Sequence, residues 1–71
     1  MQTIGERIKE LRIKHGLSIR EVGRRTDFDY HTISDVENGR HFPNAMLTIT
    51  LSGLYGVTTD YILLGKGEEK K

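Results

Sequence analysis

The sequence predicts an all-α fold in which five short helices share one core. Three observations carry that expectation. Apolar residues recur at the i, i+3, i+4 spacing of a helical stripe. Ser, Asp, Asn and Thr stand in front of these stripes as helix starters, and glycines stand behind them as stops. Finally, 71 residues leave no room for a second core, and no cysteine is present to staple a loop-rich fold.

The first helix follows from "IGERIKELRIKHG", where Ile4, Ile8 and Leu11 fall at i, i+4 and i+7 and Gly16 suits a left-handed stop. In "LSIREV", Ser18 and Glu21 have the capping-box spacing, in which hydroxyl and carboxylate each take one orphan N–H. Leu17 and Val22 fit the flanking staple, so a second helix is expected over about residues 19–25. A tight "TDF" turn leads to a third helix behind Asp29, whose carboxylate suits both the cap and the positive helix end. Ile33 and Val36 face inward there, and Asn38 and Gly39 end it.

The next segment is ambiguous. "LTITL" alternates as a strand does, and Thr and Ile favour β structure. A lone strand would have no partner in this chain, however, and Pro43-Asn44 and Gly56 bracket a helix. Its expected inner stripe is Ala45, Ile49, Ser52 and Tyr55. The fifth helix caps on Thr58 or Thr59 and packs Tyr61, Ile62 and Leu64 before Gly65. One domain is thus expected over residues 1–65, with 66–71 as a charged solvated tail. Ile8, Leu11, Val22, Ile33, Ile49 and Leu54 are the expected core.

Net charge is only +1, but it is unevenly spread. Residues 1–25 hold seven Lys or Arg against three acids, and residues 26–65 hold one against five. That asymmetry fits a dipolar surface with a phosphate-binding face, or an ordinary mixed-charge surface. No run approaches the roughly 18 apolar residues of a membrane span, and without a basic-then-apolar run at the start no signal peptide is expected. The absence of cysteine excludes thiolate metal sites and fits a reducing, cytoplasmic compartment. No cofactor is expected. His31 and Asp35 are two metal ligands without a third. Ser, His and Asp cluster only on one short exposed helix without a pocket, so no enzyme is expected.

"GLSIREVGRRTDFDYHTISDVENGRHFP", with Pro43 four residues after Gly39, resembles the helix-turn-helix region of the phage-repressor family, the Cro/C1-type or XRE family. "LYGVTTDYILLG" is similar to that family's final helix, and the resemblance covers residues 4–65. It implies a compact five-helix, lambda-repressor-like bundle whose third helix enters the major groove of double-stranded DNA. Carried over by position, Tyr30, His31, Thr32, Ser34 and Asp35 would address base edges. Ser18, Arg20, Arg24, Asn38 and Arg40 would meet phosphates. The resemblance also implies an Arg12–Glu37 pair tying the first helix to the third, which would explain an acid near a negative helix end. Asp35 is read as an acceptor for cytosine N4, with a solvated surface or a pair with His31 as alternatives. This chain departs from the family pattern at Ile19, where Gln is common, at Gly23, where Ala is usual, and at Asp35, where Lys, Arg or Gln is frequent.

The implied function is a transcriptional regulator, a repressor acting as a homodimer on a palindromic operator. One small domain reads too few base pairs alone. The expected dimer patch lies on the fourth and fifth helices, among Leu47, Leu51, Leu54, Tyr61 and Leu63, unless these leucines simply complete the core. The alternative is an antitoxin-like module whose main partner is another protein.

Overall fold

A computed structural model describes residues 2–67 of the chain. It holds five helices, α1 (Ile4–Lys14), α2 (Ile19–Thr26), α3 (Tyr30–Glu37), α4 (Ala45–Tyr55) and α5 (Thr59–Leu64). No strand occurs among the described residues. Of the expected tail, residues 68–71 lie outside the described residues.

Each helix begins on a side chain that accepts an orphan amide. Ser18 Oγ accepts from the Glu21 N–H at 3.1 Å, and Glu21 accepts from the Ser18 N–H at 3.1 Å. The same box opens α1, with Thr3 Oγ1 accepting from Glu6 at 3.0 Å and Glu6 accepting from Thr3 at 2.8 Å. These backbone N–H groups hold the Glu6 and Glu21 carboxyls below the ordinary glutamate range. Asp29, Asn44 and Thr58 cap α3, α4 and α5. Within α4 the β-leaning threonines are satisfied locally. Thr48 donates to Asn44 O at 2.9 Å and Thr50 to Met46 O at 2.8 Å, so the strand-like residues of "LTITL" sit in a helix without orphan hydroxyls.

The core draws Ile8 and Leu11 from α1, Val22 from α2, Ile33 and Val36 from α3, Leu47, Leu51 and Tyr55 from α4, and Ile62 from α5, with Val57 from the intervening loop. α1 packs against both α3 and α5, while α2 packs on α3 and α4 on α5. Two expectations are corrected here. Ile49 is 58% exposed and Ala45 also faces solvent; the buried face of α4 is Leu47, Thr48, Leu51, Ser52 and Tyr55. Met46, Leu47, Ile49, Leu51 and Leu54 put apolar groups on every side of this helix, so periodicity allows several stripes and packing chooses one. Leu64 is exposed because it lies two residues beyond the buried Ile62, hence on the opposite side of α5.

Arg7 is buried although charged. Its Nε donates to Ile62 O at 3.0 Å. A cation here satisfies a carbonyl that the end of α5 leaves open and opposes the negative end of its dipole, fastening α5 to α1.

Tyr55 Oη is a buried polar atom with no hydrogen-bond partner among the described residues. Burial first, and then the Glu37 charge, push its phenol above the usual range. Tyr55→Phe is expected to raise stability by about 1 kcal/mol, because it deletes an unsatisfied group and keeps the ring. That ring lies 5.2 Å from the His15 ring. Urea unfolding of the two proteins measures the change, and a destabilised variant would mean the hydroxyl has a partner in solution. None of the described helices is long and apolar enough to cross a membrane.

Candidate nucleic-acid interface

α2 and α3 meet through a turn at residues 27–29. Asp27 adopts the left-handed conformation there (φ 64°), which aspartate tolerates better than most side chains. The Thr26 hydroxyl donates to Val22 O at 2.7 Å and accepts from the Phe28 N–H at 3.4 Å. Gly23 permits the close approach, since a Cβ there would lie 2.9 Å from Phe28 O. With the turn held, Asp29 caps α3 by accepting from the His31 N–H at 2.9 Å. Ile33 and Val36 anchor the inner side of α3 in the core. The outer side carries Tyr30, His31 and Thr32, all exposed, with Ser34 and Asp35 half-buried at its edge.

Tyr30 and His31 stand edge to face, ring centroids 5.5 Å apart at 87°. Tyr30 shares a shallow hollow with Arg12, Ser18, Ile19 and Arg20. The start of α2 and the start of α3 therefore form one surface. Arg24 is exposed one turn beyond Arg20 on α2. At the far end of α3, the Asn38 amide donates to Ser34 Oγ at 3.4 Å.

The way α3 ends decides where Arg40 goes. Gly39 turns at φ +80°, its N–H donates to Val36 O at 3.2 Å, and the Arg40 N–H returns to Asp35 O at 2.9 Å. These are the paired bonds of a Schellman motif, which folds residue 40 back over residue 35. Arg40 Nη1 accordingly donates to Asp35 Oδ1 at 3.2 Å, and His41 Nε2 lies 3.9 Å from Asp35 Oδ2. The hydrogen bond of Asp35 thus goes to the turn rather than to His31.

Glu37 points inward. Its oxygens accept from Arg12 Nε at 2.8 Å and Arg12 Nη2 at 3.1 Å, and Arg12 Nη1 donates to Leu17 O at 2.9 Å. The Glu37 side chain is 2% exposed and that of Arg12 12%. The segment 29–39 carries three acids and no Lys or Arg, yet little free negative charge faces outward. Asp29 is spent on a cap, Asp35 on Arg40 and Glu37 on Arg12.

Sequence reasoning missed two neighbours of this surface, His41 and Phe42. Phe42 is 84% exposed. Its signal was a large apolar residue in a turn beside Pro43, off every helical stripe. The expected patch for a second copy also changes, because Leu47 and Leu51 are each 1% exposed. Met46, Ile49, Leu63 and Leu64 are exposed on these two helices, and Pro43, Ala45, Thr48, Ile49, Thr59 and Leu63 line a shallow groove. Among the described residues, no group of three or more His, Cys, Asp or Glu is placed to hold a metal ion.

Known proteins share this arrangement. A family of helix-turn-helix domains matches residues 5–68. The HTH-type transcriptional regulator ImmR of Bacillus subtilis (strain 168) is 36% identical over 69 residues, which cover 97% of this chain and 54% of that protein. The HTH-type transcriptional regulator DdrOP3 of Deinococcus deserti is 32% identical over 60 residues, 84% of this chain and 46% of that protein. The chain therefore spans about half the length of these relatives. Among solved structures, the P22 c2 repressor protein in complex with synthetic operator 9T matches with a TM-score of 0.87 at 29% identity, covering 93% of this chain and 100% of that one.

Proposed function

The chain belongs to the family of helix-turn-helix domains, and from that premise we propose that it is a sequence-specific, DNA-binding transcriptional regulator of repressor type. One observation carries the reading. α3 is anchored on one side by Ile33, Val36 and Glu37 and presents Tyr30, His31 and Thr32, with Asp35, on the other. A helix about 10–12 Å across with its side chains matches a major groove about 12 Å wide. The likeness to a repressor solved on an operator supports the same docking here.

In that pose Tyr30, His31, Thr32, Ser34 and Asp35 face base edges. His31 donates to a base acceptor, Tyr30 lies against a thymine methyl or a phosphate, and Asp35 accepts from the cytosine amino group. Ser18, Arg20, Arg24 and Asn38 hold the phosphate backbone, which fixes register without reading sequence. The first amides of α2 offer further N–H donors to the same strand.

One copy reads few base pairs, so the functional unit is a symmetric dimer on two half-sites about 34 Å apart. Its contact is the apolar strip around the groove that Ile49 of α4 and Leu63 of α5 line together. Occupancy of the operator excludes polymerase. The same strip favours a second reading, in which an antitoxin-like module uses it to hold a different protein.

Protection footprinting on DNA upstream of the chain's own gene separates the two. Two protected half-sites one helical turn apart are expected. Replacing Tyr30 and His31 together by Ala should weaken binding about tenfold or more while leaving thermal unfolding unchanged. Absent protection, together with tight binding to a co-expressed protein and no salt-dependent DNA affinity, would move the assignment to the second reading.

A further inference from the structure

Arg40 is expected at a phosphate, and the structure also folds it back onto Asp35. The Schellman end of α3 ties its backbone N–H to Asp35 O at 2.9 Å, so the residue is already folded over Asp35 before its side chain is placed. Its guanidinium then occupies one carboxylate oxygen, Oδ1, at 3.2 Å. The other oxygen, Oδ2, lies 3.9 Å from His41 Nε2, outside hydrogen-bonding distance, and accepts no hydrogen bond among the described residues. His31, Thr32, Asp35 and His41 line one hollow that runs along α3.

We propose that Arg40 is a specificity-determining positioning residue, which acts on DNA through Asp35 by holding its carboxylate so that Oδ2 addresses the amino group of a base. The proposal rests on the major-groove reading of α3 given above. A lone carboxylate on that surface would rotate freely and repel the phosphates on either side. Paired with Arg40 it has no net charge, and the rotamers that remain keep Oδ1 on the guanidinium. An amino donor, best supplied in the groove by cytosine N4, then meets an acceptor already in place. Arg40 and Asp35 are both partly open to solvent, at 68% and 32% of their side chains, so the pair adds little to stability and its removal isolates the effect on binding.

The test uses the whole chain, Arg40→Gln, Asp35→Asn and the double variant. The probes are duplexes that the unaltered protein recovers from a randomised pool, and their single-base variants, titrated over a range of salt. Asp35→Asn should flatten base preference at one position per half-site. Arg40→Gln should flatten the same position about fivefold or more and cause no further loss of preference in the Asp35→Asn background. An intact preference with a slope reduced by about 0.9 per engaged arginine would overturn the proposal and make Arg40 a phosphate contact. If Asp35→Asn changes no base preference, the reading by Asp35 itself has failed. If Asp35 reads and Arg40→Gln leaves that preference intact, the positioning role alone has failed. Equal melting temperatures tie each difference to binding.

Discussion

Glu37→Ala will destabilise the domain by about 3–5 kcal/mol, the range for stripping one partner from a buried ion pair. The Glu37 carboxylate is 2% exposed and both its oxygens accept from Arg12. Without it, the guanidinium keeps its bond to Leu17 O but loses the charge that balanced its desolvation. A domain of this size has on the order of 5–15 kcal/mol to lose, so urea unfolding should shift to a much lower midpoint. The double replacement Arg12→Met with Glu37→Leu should recover most of the loss, since an apolar pair of similar volume often matches a buried salt bridge. A loss below about 1 kcal/mol for Glu37→Ala would show that water screens the pair as it does at the surface.

That pair was legible because Glu37 breaks a local rule. An acid in the last turn of a helix opposes the dipole, which calls for a cation, and the family resemblance named Arg12. Helix ends were legible for a related reason, since caps are chemistry between residues two or three apart. The box at Thr3 and Glu6 has the same spacing as the one at Ser18 and Glu21 and needed no structure to be seen. Arg7 was equally open to reading. Ile4, Arg7, Ile8 and Leu11 fall at i, i+3, i+4 and i+7, so position 7 sits on the inner stripe and its charge had to find an internal acceptor. Two features lay beyond the sequence. α4 is apolar all round, and only its neighbours choose the buried side. The return of Arg40 onto Asp35 depends on the left-handed turn at Gly39, and the pairing appears only once those dihedrals are known. The exposed side of α3 was therefore legible as a set of residues but not as a set of partners.

Gly5→Ala is the second large effect expected, and its sign should be opposite to that of Gly53→Ala. Both glycines lie within helices, where alanine ordinarily adds up to about 1 kcal/mol. A Cβ at Gly53 meets nothing within 4 Å, so Gly53→Ala should gain about that amount. At Gly5 the new methyl would run into the carbonyl oxygen of Val36 and lie 2.8 Å from that of Glu37. These are backbone atoms of the last turn of α3. They cannot rotate aside as a side chain does, and Arg12 holds Glu37 in place. α1 must instead back away from α3, and overpacking of this kind costs about 3 kcal/mol, which exceeds the propensity gain. Urea midpoints of the two variants and the unaltered chain check the order, and a Gly5→Ala protein as stable as its parent would show that the two helices cross more loosely. The displaced turn is also the one that carries Asp35 and leads to Arg40. Gly5→Ala should therefore weaken DNA binding even where the protein remains fully folded.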